Sequence, residues 1–325
     1  MKKMTFLTAA VAALAAFGAQ AQGNYPQRPV TLIVPFAAGG PTDVIARIVG
    51  DHMSRTLGQQ LIVENVAGAG GTTGMTRVSG ATPDGYTIGM GHMGTQGAAP
   101  ALYPNLKYDP AKDFVPIGMA AGTPIVIVAK KDFAPKDLKG FMDFVKGNSA
   151  KLNMAHAGVG SVSHTTGVLL SSVLEIKPTM VAYRGTGPAL NDLMSGQVDF
   201  MTDQIVNVAP QITGGNIKAY AIATAERSPA LPDVPTTKEA GLGNYEVSAW
   251  NALFAPKGTP KEIQAKLVDA LNKALDDENT RKRLLELGGV IPDKTGRGPE
   301  ALQKLVESEV ARWTPVLKAA GAVAQ

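Results

Sequence analysis

The chain has no cysteine. That excludes disulfides, thiolate metal sites, thiol nucleophiles and lipid attachment through a cysteine at a leader cleavage site. Charge of one sign is also scarce. The formal net charge is only +4, and the one basic cluster, Arg281-Lys282-Arg283, shares its helical stretch with Asp276, Asp277, Glu278 and Glu286. A solvated helix face accounts for that mixture better than a nucleic-acid footprint, so no nucleic-acid partner is expected. The four histidines, His52, His92, His156 and His164, show no metal-ligand spacing, and neither a metal nor a cofactor is expected. No G-x-S-x-G elbow occurs. Ser161 and His164 lie one helical turn apart but lack an indicated orienting acid, so an exported hydrolase is the weaker reading and the chain is expected not to be an enzyme. After the N-terminus no segment is long and apolar enough to span a bilayer. No repeat of fixed period and no low-complexity tail is found.

The N-terminus supplies what those absences leave room for. Lys2 and Lys3 precede an alanine-rich apolar stretch over residues 6–17, followed by Ala19-Gln20-Ala21. A charged start, a short apolar core and an A-x-A site are the parts of a secretory signal. Residues 1–21 are therefore expected to be removed on export to the periplasm, which takes away Lys2 and Lys3 and lowers the formal charge from +4 to +2. The length allows one large or two medium domains.

The stretch that organises the chain runs from Pro29 to Arg47. Val30 to Val34 is a β-branched apolar run and predicts a buried strand. Pro35 to Pro41 carries two glycines and two prolines and predicts a turn. From Thr42 on, Val44, Ile45, Ile48, Val49 and Met53 recur at helical spacing, with Thr42 or Asp43 as candidate caps. Strand, glycine turn and helix start form an anion-binding geometry, because first-turn amides lack partners and carry the positive end of the helix dipole. An ordinary βα connection is the competing reading.

Strand and helix signals then alternate, which predicts an α/β fold with a parallel or mixed sheet. Asp113 to Met119 and Pro124 to Ala129 follow one another with little helix between, and are expected to cross into a second domain. Ile217 to Ile222 is expected to cross back, and Ser248 to Ala255 is a further strand. Residues 22–124 and 224–325 would make a discontinuous first lobe and residues 125–223 an inserted second one, with a cleft that closes by hinge motion. Thr259-Pro-Lys-Glu262 reads as a helix start with threonine at the cap. Pro299 to Lys318 reads as a long final helix.

Gly158-Val-Gly-Ser-Val-Ser163 is the counterpart of the opening turn, with glycines after a strand and hydroxyls before a helix. Two such turns, one per lobe, would aim two helix N-termini at one ligand and suit a carboxylate. His164 could face that ligand or be structural. Gly68-Ala-Gly-Gly-Thr-Thr-Gly74 is either a plain loop or a backbone wall beside the ligand. Gly89-Met-Gly-His-Met-Gly94 matches a dinucleotide fingerprint, but the expected following helix stops near Pro104. Asp203 could repel anions, bind an ammonium group or cap a helix.

These residues resemble the Bug family, periplasmic solute receptors associated with tripartite tricarboxylate transporters. The matching motifs are Val34-Pro-Phe-Ala-Ala-Gly-Gly-Pro-Thr-Asp43 with Arg47, Gly68-Ala-Gly-Gly71, Tyr108-Asp-Pro-x-Lys-Asp-Phe-x-Pro-Ile117, and Gly160-Ser161 with His164. They continue through Ala182-Tyr-Arg-Gly-Thr-Gly-Pro-Ala189, Asp192-Leu193 with Gly196-Gln-Val-Asp199, Arg227-Ser-Pro-x-Leu-Pro-Asp-Val-Pro-Thr236 with Glu239-Ala-Gly241, and Trp250 with Phe254-Ala-Pro-x-Gly-Thr-Pro260. The resemblance implies a type II periplasmic-binding-protein fold: two α/β lobes joined by two hinge strands around a central cleft. It implies no catalysis. It implies a small carboxylate (a dicarboxylate, acidic amino acid or aromatic acid) held by Phe36, Ala38, Gly39, Gly40, Thr42 and Asp43 on one side and by Gly160, Ser161, Ser163 and His164 on the other. Thr95, Gln96 and Asp203 would line the far end. A monomer delivering its ligand to membrane permease subunits is the implied partner arrangement, with a ligand sensor for a signalling partner as the alternative. The family usually places a basic residue and proline before the glycine run, where this chain has Val66-Ala67.

Overall fold

The computed structural model describes residues 25–322. The expected leader, residues 1–21, lies outside them. The first unit is β1 (Val30–Val34), α1 (Pro41–Leu57) and β2 (Leu61–Asn65). β1 lies between β2 and β3 (Thr87–His92), parallel to both, which explains its unbroken apolar run: a parallel strand inside a sheet is covered on both faces. α1 buries Ile45, Ile48, Val49 and Met53 and ends at Gly58, whose φ of 69° is the left-handed stop.

After β2 come α2 (Thr72–Ser79), β3, a π-helical turn over Met93–Ala98, and α3 (Ala99–Leu102). The next element is one strand where two were expected. β4 (Phe114–Lys130) runs unbroken for 17 residues. From Phe114 to Pro124 it pairs antiparallel with β9 (Ser248–Pro256); from Ile125 it pairs with β7 (Phe200–Gln204), and from Val126 with β8 (Ile217–Ile222) on its other edge. A single strand therefore belongs to both halves of the sheet, and its partners change between Pro124 and Ile125.

The second half adds α4 (Leu138–Asn148), β5 (Asn153–His156), α5 (Val162–Leu174), β6 (Thr179–Ala182), α6 (Thr186–Met194) and α7 (Ile205–Thr213). The nine-stranded sheet runs β2-β1-β3-β9-β4-β7-β5-β6, with β8 beside β4. The chain returns to the first half after β8, and Val247 N donates to Ala223 O just before β9 begins. α8 (Lys261–Asp276), α9 (Glu278–Glu286) and α10 (Pro299–Ala319) complete the first half. The Trp250 and Trp313 indoles both donate to Glu309 and fix α10 against β9. The molecule is a mixed α/β protein of two lobes around a cleft.

Three capping expectations are corrected. The N-cap of α1 is Gly40, not Thr42 or Asp43, and no side chain caps it. α8 starts after Pro260; the Thr259 hydroxyl instead donates to Pro256 O, which also accepts the Thr259 amide in a tight turn. Asp203 is inside β7, and the N-cap of α7 is Gln204. The fingerprint-like run over residues 89–94 is the end of β3 leading into the π-helical turn, not a phosphate loop.

Candidate functional site

Four helices begin around one cavity. α1 starts at the turn after β1, α5 after β5, α6 after β6 and α7 directly after β7. The space at these helix starts, counting the part open to solvent, is about 270 Å³. The first lobe contributes Phe36, Gly40, Pro41 and Thr42, together with His92 at the end of β3. The second contributes Ala157, Ser161, Val162 and Ser163 from the turn before α5, and Thr186 and Gln204 from the starts of α6 and α7. Each helix start offers amides without intrahelical partners and the positive end of its dipole.

No charged side chain lines this space. Its one titratable side chain, His92, is 1 % exposed, and burial pushes its pKa down to about 3. Its Nδ1 accepts from the Gly94 amide at 2.8 Å and the Thr95 amide at 3.2 Å, so the ring is neutral and its remaining donor is Nε2–H. Phe36 stacks on that ring with centroids 5.0 Å apart. Behind the Ser161 turn, burial likewise pushes His164 down to about 3, with His156 next to it adding to the shift. Any negative charge in the cavity would be met by dipoles and hydroxyls alone.

The cavity floor is a hydrogen-bonded chain across the hinge. Thr42 Oγ1 donates to Asn251 Oδ1 at 2.9 Å, Asn251 Nδ2 donates to Gln204 Oε1 at 2.8 Å, and Thr123 Oγ1 donates to the same oxygen at 2.7 Å. Thr123 lies one residue from the point where β4 changes partners. The start of α1, the hinge and the start of α7 are thus one network.

The lobes are closed. Ala37 N donates to Arg184 O at 3.0 Å and Tyr103 Oη to Val159 O at 2.6 Å. At Gly70, with φ 59°, a Cβ would lie 1.7 Å from Val159 O. Only glycine lets the two main chains meet there. Gly70 is thus a contact between lobes, whereas Gly71 packs against Thr95 and the Phe36 ring within the first lobe.

Of the residues expected at the site, Phe36, Gly40, Thr42, Ser161 and Ser163 line the cavity together. The others sit elsewhere. Ala38 and Gly39 face an outer groove against Gly187 and Asn207. The Asp43 carboxylate accepts from Gly39 N, Arg47 and Asn65, and so braces the turn from behind. Burial would raise its pKa, but Arg47, the Gly39 amide and Asn65 outweigh that and hold it below the usual range. Thr95 forms a reciprocal cap with His92. Gln96 is fully buried with neither amide atom partnered. Gly160 N donates to His164 Nδ1 at 3.3 Å, so both hold the shape of the second turn. Asp203 is buried behind Thr186 and Gln204.

Pro41 and Val162 fall within the two expected turns; the lining residues that sequence reasoning did not single out are His92, Ala157, Thr186 and Gln204. Thr186 stood inside a quoted motif, and its place after strand, glycine and before helix repeats the pattern of the other two turns. His92 had no local signal, because its role depends on a π-helical turn.

A mixed sheet split into two lobes by one shared strand, with helix starts facing a central cavity, defines the class of periplasmic binding proteins. Within that class the chain belongs to the tripartite tricarboxylate transporter receptor family, whose model matches residues 45–322. Among solved structures it is similar to MatC from Rhodopseudomonas palustris with bound malate, at 50 % identity and a TM-score of 0.88, covering 90 % of this chain and 100 % of that one. It is also similar to the periplasmic binding protein BugD, at 45 % identity and a TM-score of 0.89, covering 92 % and 99 % of the two chains. A third, Rpa4515 from R. palustris with adipate, is 32 % identical with a TM-score of 0.87, covering 92 % and 100 %. No described helix is long and apolar enough to cross a membrane.

Proposed function

We propose that the protein is a periplasmic receptor that captures a small dicarboxylate and delivers it to the permease of a tripartite transporter. The observation that carries this is the cavity itself: four helix starts converge on it and no cation lines it. A carboxylate there would accept from first-turn amides of α1 and α5 and from the Ser161, Ser163 and Thr186 hydroxyls. Neutral donors hold an anion without a salt bridge, and closure removes the competing water. The malate and adipate of two similar structures support the ligand class. The leader expected over residues 1–21 and the kinship with BugD support the periplasm. The chain acts as a monomer, and lobe closure is the signal that the permease reads.

A hydrolytic reading has little support at Ser161. Its Oγ accepts from His164 N and meets Ser163 Oγ at 3.3 Å, while His164 Nδ1 accepts from Gly160 N. Neither histidine ring in the turn has a carboxylate partner among the described hydrogen bonds. A thermal-shift screen over dicarboxylates, acidic amino acids and aromatic acids tests the assignment, since a ligand bound only by the native state raises the melting temperature. Malate or a diacid of similar size should give the largest shift. A shift only with amino acids or aromatic acids would overturn the proposed ligand class.

A further inference from the structure

Asp203 is a fully buried carboxyl group with an unfinished set of partners. Its relative exposure is 0 %. Oδ2 accepts from Asn207 Nδ2; no well-aligned donor reaches Oδ1, although the Gln204 amide and the Thr186 hydroxyl lie close enough to favour the anion. Two of the groups beside it, Thr186 and Gln204, line the cavity. Thr186 is also where the lobes meet, since a Cβ on Gly40 would lie 3.2 Å from its Oγ1.

No countercharge is near. β4 presents Val126 opposite Asp203, and β8 presents Ile222 beyond it. α6 presents Thr186, and its Asp192 is engaged by Tyr183. α7 presents Asn207. His156 ends β5 and His164 opens α5; both are shifted down by burial and so neutral. Asp43 on α1 is paired with Arg47. Burial pushes Asp203 up to about 7, against weaker support for the anion from Asn207, the Gln204 amide and Thr186.

We propose that closure on a carboxylate ligand is coupled to uptake of one proton by Asp203, so that the receptor captures an anion and a proton together. With the lobes apart, the Thr186 face is open to water and the carboxylate stays ionised at neutral pH. Closure removes that water and places a second negative charge beside it in a low-dielectric space without a cation. Two like charges in such a site favour protonation of one. The proton comes from solvent and forms an O–H bond on Asp203; no other bond changes. A neutral Asp203 gains a donor, which relieves the unfinished hydrogen bonding.

The inference rests on the carboxylate reading, and calorimetry with malate separates the two. Malate is a dianion between about pH 6 and 8, given ordinary carboxyl pKa values. Titration at pH near 7 in phosphate and in Tris, which differ in ionisation heat, should reveal a sizeable fraction of one proton taken up. Affinity should weaken with rising pH, by up to about tenfold per unit, between the open-lobe and closed-complex pKa values of Asp203. Asp203→Asn should bind malate with no uptake and no pH slope. A wild-type infrared band of a protonated carboxyl should appear on binding and stay unshifted with ¹³C-labelled malate, which tests the proposal without any variant. Binding without proton uptake, uptake that persists in Asp203→Asn, or a band that moves with the label would each overturn it. No binding of malate at all would overturn the ligand class and this inference with it.

Discussion

Replacing Gly70 with alanine should weaken ligand capture without touching the cavity. The new Cβ would lie 1.7 Å from Val159 O, 2.8 Å from Val159 C and 3.0 Å from Tyr103 Oη. The first is far inside any real contact, so the lobes must separate at that seam by more than an ångström. Separation breaks the Tyr103–Val159 hydrogen bond of 2.6 Å and strains the Ala37–Arg184 bond of 3.0 Å. At about 0.5–1.5 kcal/mol for each bond, the closed state loses on the order of 1–3 kcal/mol. If only the closed state holds ligand tightly, apparent affinity falls by roughly 5- to 150-fold. Gly58→Ala is the control. Gly58 also has a positive φ, 69°, but nothing lies within 4 Å of a Cβ there, so it carries the backbone strain of about 1–2 kcal/mol and no clash. Titration calorimetry with malate reads affinity, and small-angle scattering reads compaction. Gly70→Ala, still folded, should bind weakly and fail to compact. Binding within twofold of wild type would refute the claim that closure at this seam holds the ligand.

Ser161→Ala should weaken malate binding about two- to tenfold by removing one neutral donor, and should cost about 1 kcal/mol of stability because Ser161 Oγ caps α5 through His164 N; calorimetry and urea unfolding read the two effects separately. Gln204→Ala should destabilise the fold by about 1–3 kcal/mol, since the Thr123 hydroxyl and Asn251 amide lose their shared acceptor; an unchanged urea midpoint would contradict that. Affinity for malate should change by less than roughly twofold between low and moderate salt, because buried dipoles are poorly screened; a steep salt dependence would point to a cation missing from this account. Asp203→Asn should stabilise the closed protein, held with saturating malate, more at pH 8 than at pH 5. The folded pKa of about 7 lies above the ordinary carboxyl value, so the contribution is full below about pH 4 and is lost as pH rises through about 7, with an upper bound on the order of 4 kcal/mol; equal shifts in melting temperature at both pH values would refute it.

The α/β alternation was legible because buried parallel strands and amphipathic helices leave different periods, as in Val30–Val34 against Ile45, Ile48, Val49 and Met53. The strand shared between lobes was legible only as two runs. Gly118 and Gly122 interrupt the apolar pattern, yet in the structure they are close contacts with the Arg297 carbonyl and Val290, so long-range packing keeps β4 continuous. Capping was misjudged at Thr42 and Asp43, which serve Asn251 and Asn65 far along the chain, and at Thr259, whose hydroxyl turns back to Pro256. The two glycine turns carried part of the cavity. Thr186 repeated the turn pattern without being singled out, while His92 joins the cavity only through the π-helical turn after β3 and Gln204 only where α7 opens directly after β7.

The central claim is that one ligand carboxylate lies between the opening turns of α1 and α5. A crystal structure of the protein with malate tests it most directly. A carboxylate within hydrogen-bonding distance of the first-turn amides at Thr42 and at Val162 or Ser163, directly or through one water, is the expected result. Malate bound in the outer groove beside Ala38, or held by an arginine or lysine side chain, would contradict the account.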